Sequence, residues 1–247
     1  SRSSSPLRVL TSRLGYRIEV LRESPMVSVV RDFLGAGECE SLMSAAGKRT
    51  LIAGHLSGNA TFRDPSCKAL NATLHVDWGA EEDLLTLTSV RNFDLASELL
   101  GQEVPYEGQE PLSFLHYMKG LECKPRTDGG RALLGTRVAT TSIFCETASH
   151  GGATVLPVED EPLKFVGRPG DLLFFQYDPQ PDRALHAACL VMDGQKSTFT
   201  QWHRLGVSVE KPWDTFEAVG RQHSPYGSSR WQGLRFGDKV PWDSVEL

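Results

Sequence analysis

Asp128 and His186 are the residues of this chain whose types and placement could do oxidative chemistry. A non-haem iron centre takes two histidines and one carboxylate on one face of the metal, and leaves its other positions open for oxygen and a cosubstrate. Asp128 and His186 supply one ligand of each type. Alternate residues of a strand point to the same side, so the residue two before Asp128 would share its site if the segment is extended. That residue is Arg126, in Lys124-Pro125-Arg126-Thr127-Asp128.

Arginine cannot stand in for a ligand histidine. It stays protonated and has no lone pair to give. It also brings a positive charge beside a dication. Two unit charges about 4 Å apart interact by about 4 kcal/mol at an effective dielectric of 20, and a doubly charged ion roughly doubles that. Arg126 could avoid the repulsion by swinging away or by pairing with Asp128, which would occupy the remaining carboxylate. The neighbours offer no obvious replacement. His150 lies in the turn before Gly151-Gly152 and is expected at the surface. His116 adjoins Tyr117, and adjacent strand residues point to opposite faces. Cys123 is a weak substitute.

The elements that must position these residues change character along the chain. Residues 24–34 read as a strand running into a turn, and Gly35-Ala36-Gly37 opens a helix. Cys39, Leu42, Met43 and Ala46 fall on one apolar stripe of that helix. Residues 50–79 are rich in Gly, Asn, Thr and Asp and predict loops and a hairpin. Glu81-Glu82-Asp83 opens a second helix, which stops at Gly101. From residue 111 onward, short segments rich in apolar, aromatic and β-branched residues alternate with turns, at 112–118, 138–144, 163–166, 171–176 and 197–202. Two helices followed by many strands predict an α+β chain with helices supporting an antiparallel sandwich or jelly roll. Trp213, Trp231 and Trp242 then anchor a tail expected to wrap the core.

The chain has 247 residues, is 40% hydrophobic and 23% charged, and carries a net charge of -5. A negative balance with no basic run weighs against nucleic acid as a partner. No stretch approaches the roughly 20 apolar residues of a membrane span, and the polar start shows no signal peptide. The cysteines Cys39, Cys67, Cys123, Cys145 and Cys189 form no C-x-x-C pair, so a structural zinc site is disfavoured. One or two disulfides are open, with at least one thiol left over. The sequons at Asn59 and Asn71 are a weak pointer to the endoplasmic reticulum or secretory lumen over the cytoplasm.

Taken in order, several blocks resemble the prolyl 4-hydroxylase family of Fe(II)- and 2-oxoglutarate-dependent dioxygenases. They are Glu110-Pro111-Leu112-Ser113-Phe114-Leu115-His116-Tyr117, Arg137-Val138-Ala139-Thr140, Gly151-Gly152-Ala153-Thr154-Val155-Leu156-Pro157, Arg168-Pro169-Gly170-Asp171-Leu172-Leu173-Phe174-Phe175 and His186-Ala187-Ala188-Cys189. The resemblance spans residues 25–205, leaving 1–24 as an N-terminal tail and 206–247 as a C-terminal extension. It implies a double-stranded β-helix core, with Fe(II), 2-oxoglutarate, O2 and ascorbate as cofactors.

It also implies a peptide or protein substrate, including proline-rich sequence, and site roles for matching positions. Asp128 and His186 look like the metal ligands. Lys196 is similar to the lysine that pairs with the distal carboxylate of 2-oxoglutarate, an end that iron does not neutralise. Tyr117 and Thr154 match hydroxyls that help hold the cosubstrate. Trp202 matches an aromatic near the substrate entrance, and Arg137 an arginine that contacts peptide. Residues 57–79 match a mobile loop that closes over peptide. Arg126 departs from the pattern at the first ligand histidine. The outcomes left open are a hydroxylase impaired by Arg126, a non-catalytic binder of peptide or protein, and an iron centre held by two protein ligands plus the cosubstrate. An oxygenase acting on a small molecule is a further alternative.

Overall fold

The computed structural model describes residues 6–48, 52–53, 55–56, 63–64, 67–76, 83–128, 136–157, 162–177, 185–208 and 210–213. Three strands come first: β1 (Arg8–Thr11), β2 (Arg17–Glu23) and β3 (Met26–Val30). Helix α1 (Ala36–Gly47) precedes β4 (Ile52–Ala53), β5 (His55–Leu56), β6 (Arg63–Asp64) and β7 (Leu70–Leu74). Helix α2 (Leu84–Leu100) leads into β8 (Leu112–Tyr117), β9 (Cys123–Thr127) and the long β10 (Thr136–Glu146). The rest is β11 (His150–Gly151), β12 (Thr154–Leu156), β13 (Leu163–Phe165), β14 (Leu172–Gln176), β15 (Leu185–Ala188), β16 (Val191–Asp193) and β17 (Lys196–Leu205).

Among the described residues the strands form a nine-stranded sheet in the order β1-β2-β3-β14-β10-β17-β8-β7-β4 and a four-stranded sheet in the order β13-β12-β15-β9. Two strand pairs, β5-β6 and β11-β16, complete the set. The large sheet is covered on both faces, and β14 shows why. Leu172 and Phe174 point to the core cluster that takes in α1 and α2 through Leu42, Ala46, Leu95 and Leu99. Leu173 and Phe175 point the other way, to Leu156 and Phe165 of the small sheet. A strand buried on both faces reads as an unbroken apolar run instead of an alternating one. Two sheets packed over one core, with helices on the outer face, make the jelly-roll architecture expected from the sequence.

Both helices form where expected. The α1 stripe buries Cys39, Leu42 and Ala46, with Met43 partly buried beside them. The Asp83 side chain accepts hydrogen bonds from the Leu85 and Thr86 amides at 3.0 and 3.2 Å, capping α2. Gly101 closes that helix at φ 66°, in the left-handed region. Glu81 and Glu82 lie outside the described residues.

The strand-rich part of the chain starts earlier than the sequence suggested. Residues 8–23, expected to belong to an N-terminal tail, form β1 and β2, which extend the large sheet from β3. The alternation Arg17-Ile18-Glu19-Val20 carries the physical reason: Ile18 and Val20 are buried and Arg17 is exposed. Residues 70–74, within the stretch expected to form loops and a hairpin, are β7, paired to β8 along its full length. Asn71 of the second sequon is 2% exposed, and the Ser113 hydroxyl donates to its Oδ1 at 3.3 Å, so that side chain faces the interior. Asn59 and residues 57–62, 65–66 and 77–79 of the lid-like segment lie outside the described residues, as do Trp231 and Trp242. Trp213 is described and packs under the Arg204 guanidinium at 5.8 Å.

Two disulfides form. Cys39–Cys145 ties α1 to β10, and Cys67–Cys123 ties the approach to β7 to the start of β9. Cys189 is free. No described helix is long and apolar enough to cross a membrane.

Candidate functional site

The site lies between β9 and β15 of the small sheet and β8 and β17 of the large one. Strands β9 and β15 are antiparallel neighbours in which His186 is the Cα partner of Arg126, and Leu185 that of Thr127. Asp128 follows β9 directly. The extended backbone of Cys123–Thr127 puts residues 126 and 128 on one side, as their spacing requires. On β17, Lys196 and Trp202 are an even number of residues apart and so share the face that looks at the small sheet, while Phe199 and His203 point to the helices. Tyr117 of β8 pairs directly with Lys196. His116, its neighbour, points away and contacts Ser197 Oγ through Nδ1 at 2.9 Å. His150 is exposed, as expected.

Asp128 is the centre of the polar network. It is 7% exposed. Its Oδ2 lies 3.3 Å from His186 Nε2 and accepts a hydrogen bond from the Trp202 indole at 2.7 Å. Its Oδ1 lies 3.4 Å from Arg126 Nε. Its backbone carbonyl accepts from Arg137 Nη1 at 3.0 Å. The His186 ring packs on Phe175, with centroids 5.0 Å apart. Thus the carboxylate and imidazole expected to face one metal do converge, but Arg126 has taken the option of pairing with the carboxylate.

An iron ion does not fit this arrangement. Asp128 and His186 are two ligands where the centre needs three, and the guanidinium in the third position is a cation held against the same carboxylate. Among the described residues no group of three His, Cys, Asp or Glu side chains could hold a metal.

The other residues matched to cosubstrate roles also come together. Lys196 is 2% exposed and its ammonium donates to Thr154 Oγ1 at 2.9 Å. Its remaining neighbours are the faces of Tyr117 and Phe144, each 5.3 Å from Nζ. Gly151 and Gly152, both at positive φ (81° and 65°), turn the chain into β12 and leave room beside the lysine stem. Burial lowers the Lys196 pKa to about 8; the charge of Arg126 pushes the same way and Cys189 pulls back. Burial raises the Tyr117 phenol, with Arg126 pulling it back and Asp128 pushing it further. Tyr117 is therefore a neutral hydroxyl, in contact with Cys123 Sγ at 3.4 Å.

A lysine held in this way costs stability. The fall from 10.5 in the unfolded chain to about 8 in the folded one corresponds to about 3 kcal/mol. The unfolded state binds the extra proton between those two values, so the full cost is present below pH 8 and fades as pH rises toward 10.5. Lys196→Met, which removes the charge and forfeits about 1 kcal/mol of hydrogen bonding to Thr154, should therefore stabilise the unliganded protein by about 2 kcal/mol at pH 7. The gain should shrink across pH 8 to 10.5 in urea unfolding. A loss of stability at pH 7 would show that Lys196 has an anionic partner in the native chain.

Arg137 and Trp202 stack on each other beside Asp128. Arg137 is 8% exposed. It forms a two-pronged pair with Glu110, through Nε and Nη2 at 2.5 Å each, and its Cζ lies 4.4 Å over the Trp202 ring. Trp202 donates to the Asp128 carboxylate and Arg137 to its backbone carbonyl, so both support that residue. Burial alone would lower the Arg137 pKa; the charge of Glu110 outweighs it and raises the value. Glu110 also accepts from Arg204 Nε at 2.6 Å.

Glu110 and Tyr177 are the residues that sequence reasoning passed over. Tyr177 is partly buried beside Thr140, and desolvation together with the nearby Asp128 charge holds its phenol well above the ordinary value. Glu110 stood at the head of a quoted block, and its position just before β8 in a buried segment was the available signal. No comparable signal marked Tyr177.

No protein-family model matches the chain. Among curated proteins it is 24% identical over 237 residues to probable prolyl 4-hydroxylase 7 of Arabidopsis thaliana, covering 82% of this chain and 71% of that one. It is 27% identical over 225 residues to probable prolyl 4-hydroxylase 6 of the same plant, covering 75% and 71%. Among solved structures it is similar to the viral collagen prolyl hydroxylase of Paramecium Bursaria Chlorella virus-1 in its 2OG complex, at TM-score 0.55 and 22% identity over 72% of this chain and 95% of that one. It is also similar to the Trichoplax adhaerens prolyl hydroxylase in complex with a hypoxia inducible factor oxygen degradation domain peptide fragment, at TM-score 0.58 and 17% identity over 74% and 84%. The structural matches show the jelly-roll fold of 2-oxoglutarate oxygenases, the sequence matches fall on a single family, and the homologues of this chain are the prolyl 4-hydroxylases.

Proposed function

We propose that this chain is a prolyl 4-hydroxylase-type protein that keeps the binding half of the family's work and has lost the oxidative half. Its partner is a peptide or protein, with proline-rich sequence the form favoured by kinship. The observation that carries the reading is the ion pair of Arg126 Nε with Asp128 Oδ1 at 3.4 Å, directly beside His186. That pair removes the third ligand and engages the carboxylate at once. The peptide side of the reading rests on the relatives and not on Arg137, whose guanidinium is committed to Glu110 and to the Asp128 carbonyl.

An oxidising compartment, the endoplasmic reticulum or secretory lumen, belongs to the same proposal. It is supported by the two disulfides. The buried Asn71 withdraws one of the two sequons as support.

Incubation of the full chain with Fe(II), 2-oxoglutarate, ascorbate and O2 in the presence of proline-containing peptides is the direct test. The expected outcome is no peptide-dependent succinate and no peptide mass gain of one oxygen atom, while equilibrium binding detects a subset of the same peptides. Peptide-coupled succinate formation would overturn the proposal.

A further inference from the structure

Two cationic groups in the pocket have donors that the fold itself does not use. The first is Lys196, whose ammonium carries three donors and has Thr154 Oγ1 as its hydrogen-bond partner among the described residues, with the Tyr117 and Phe144 rings each 5.3 Å from Nζ. The second is Arg126. Its Nε faces Asp128, but its Nη1 is buried with no hydrogen-bond partner among the described residues. A buried unpaired donor on a charged group is costly, and more so than on a neutral one. The two cations face one site: Lys196 pairs with Tyr117 across β17 and β8, and the Tyr117 hydroxyl reaches Cys123 of β9, the strand that carries Arg126.

In an iron centre the metal would hold the near end of the dianionic cosubstrate and Lys196 the far end. Here the metal position is taken by a guanidinium, a planar group suited to a carboxylate. We propose that Arg126 replaces the metal's charge, making this pocket a metal-independent receptor for a small dicarboxylate, with one carboxylate on Lys196 and Thr154 and the other on Arg126 Nη1. The inference rests on the loss of the iron centre proposed above. The retained lysine then has a purpose that does not depend on oxidation, and Arg126 becomes a binding group in its own right. Asp128 keeps the guanidinium in place through Nε, leaving Nη1 for the ligand. The Trp202 indole and the Arg137 contact to the Asp128 carbonyl fix that carboxylate in turn.

Isothermal titration of the full chain with 2-oxoglutarate in excess EDTA tests this. The expected result is saturable one-to-one binding. Glutarate, which lacks the oxo group that a metal would chelate, should bind within about threefold of 2-oxoglutarate, because both carboxylates are read by cations alone. Acetate, which satisfies one end only, should be weaker by at least about tenfold. Arg126→Gln, which keeps a polar side chain of similar length, should weaken 2-oxoglutarate binding by at least about tenfold in EDTA.

Absence of binding to the native chain in EDTA would overturn the proposal without any variant being needed. So would equal binding by a folded Arg126→Gln chain. Failure of the underlying reading looks different: the native chain would take up Mn(II) and bind 2-oxoglutarate only with it.

Discussion

Arg126→His should confer tight divalent-metal binding, with a gain in Mn(II) or Fe(II) affinity of at least about a thousandfold, or about 4 kcal/mol. Two effects add in the same direction. The substitution removes a cation from beside the metal position, a repulsion of several kcal/mol at about 4 Å and an effective dielectric of 20. It also supplies the missing imidazole on the correct side. Residues 126 and 186 are Cα partners on neighbouring antiparallel strands, and side chains so paired have Cβ atoms about 5 Å apart. Residue 128 lies on the same side of its segment as residue 126, and its carboxylate already stands 3.3 Å from His186. A histidine at position 126 thus completes two histidines and a carboxylate without movement of the backbone. Equilibrium dialysis with Mn(II) reads the gain. A folded Arg126→His chain that takes up no metal would mean that Asp128 and His186 are not ligand positions at all.

Glu110→Gln should cost about 3–5 kcal/mol of folding stability. Glu110 is the carboxylate shared by Arg137 and Arg204, with contacts of 2.5 and 2.6 Å, and its side chain is 4% exposed. The amide keeps the shape but leaves two guanidinium groups buried without their charge partner. Arg137 cannot turn outward without giving up its contact to the Asp128 carbonyl and its stacking on Trp202. The damage should therefore reach the site as well as the fold. Set against a typical domain stability of about 5–15 kcal/mol, a loss of this size lowers the urea midpoint severely. A loss below about 1 kcal/mol would show that water reaches the two arginines and that the cluster is not the buried support described here.

The parts of the fold legible in the sequence are those in which a single face or a single cap decides the structure. The α1 stripe of Cys39, Leu42 and Ala46, and the Asp83 and Gly101 ends of α2, needed only local periodicity and capping chemistry. β1 and β2 were missed and β7 was placed only within loops and a hairpin, because their burial comes from tertiary pairing: β2 is closed by β3, and β7 by the distant β8. Short strands with polar members such as Asn71 carry no local mark of that kind.

The site divides in the same way. Asp128, His186, Tyr117, Thr154 and Lys196 converge because their order follows a family pattern and their spacing follows strand alternation. Matching placed Trp202 near the substrate entrance and Arg137 against peptide. The contacts they make in the fold, Trp202 to the Asp128 carboxylate and Arg137 to Glu110, join residues far apart in the chain and carry no local mark. The Arg126–Asp128 pair was one of two options that the sequence left open. The geometry selected it because both side chains leave the same side of one extended segment, with Trp202 holding the carboxylate in place.

The most direct measurement is Mn(II) titration of the unmodified chain, followed by the paramagnetic signal of the free ion. With Arg126 paired to Asp128 and two ligands where three are required, all added Mn(II) should remain free up to concentrations well above that of the protein. Uptake of one tight equivalent would contradict the assignment of Arg126 as the residue that closes the iron site.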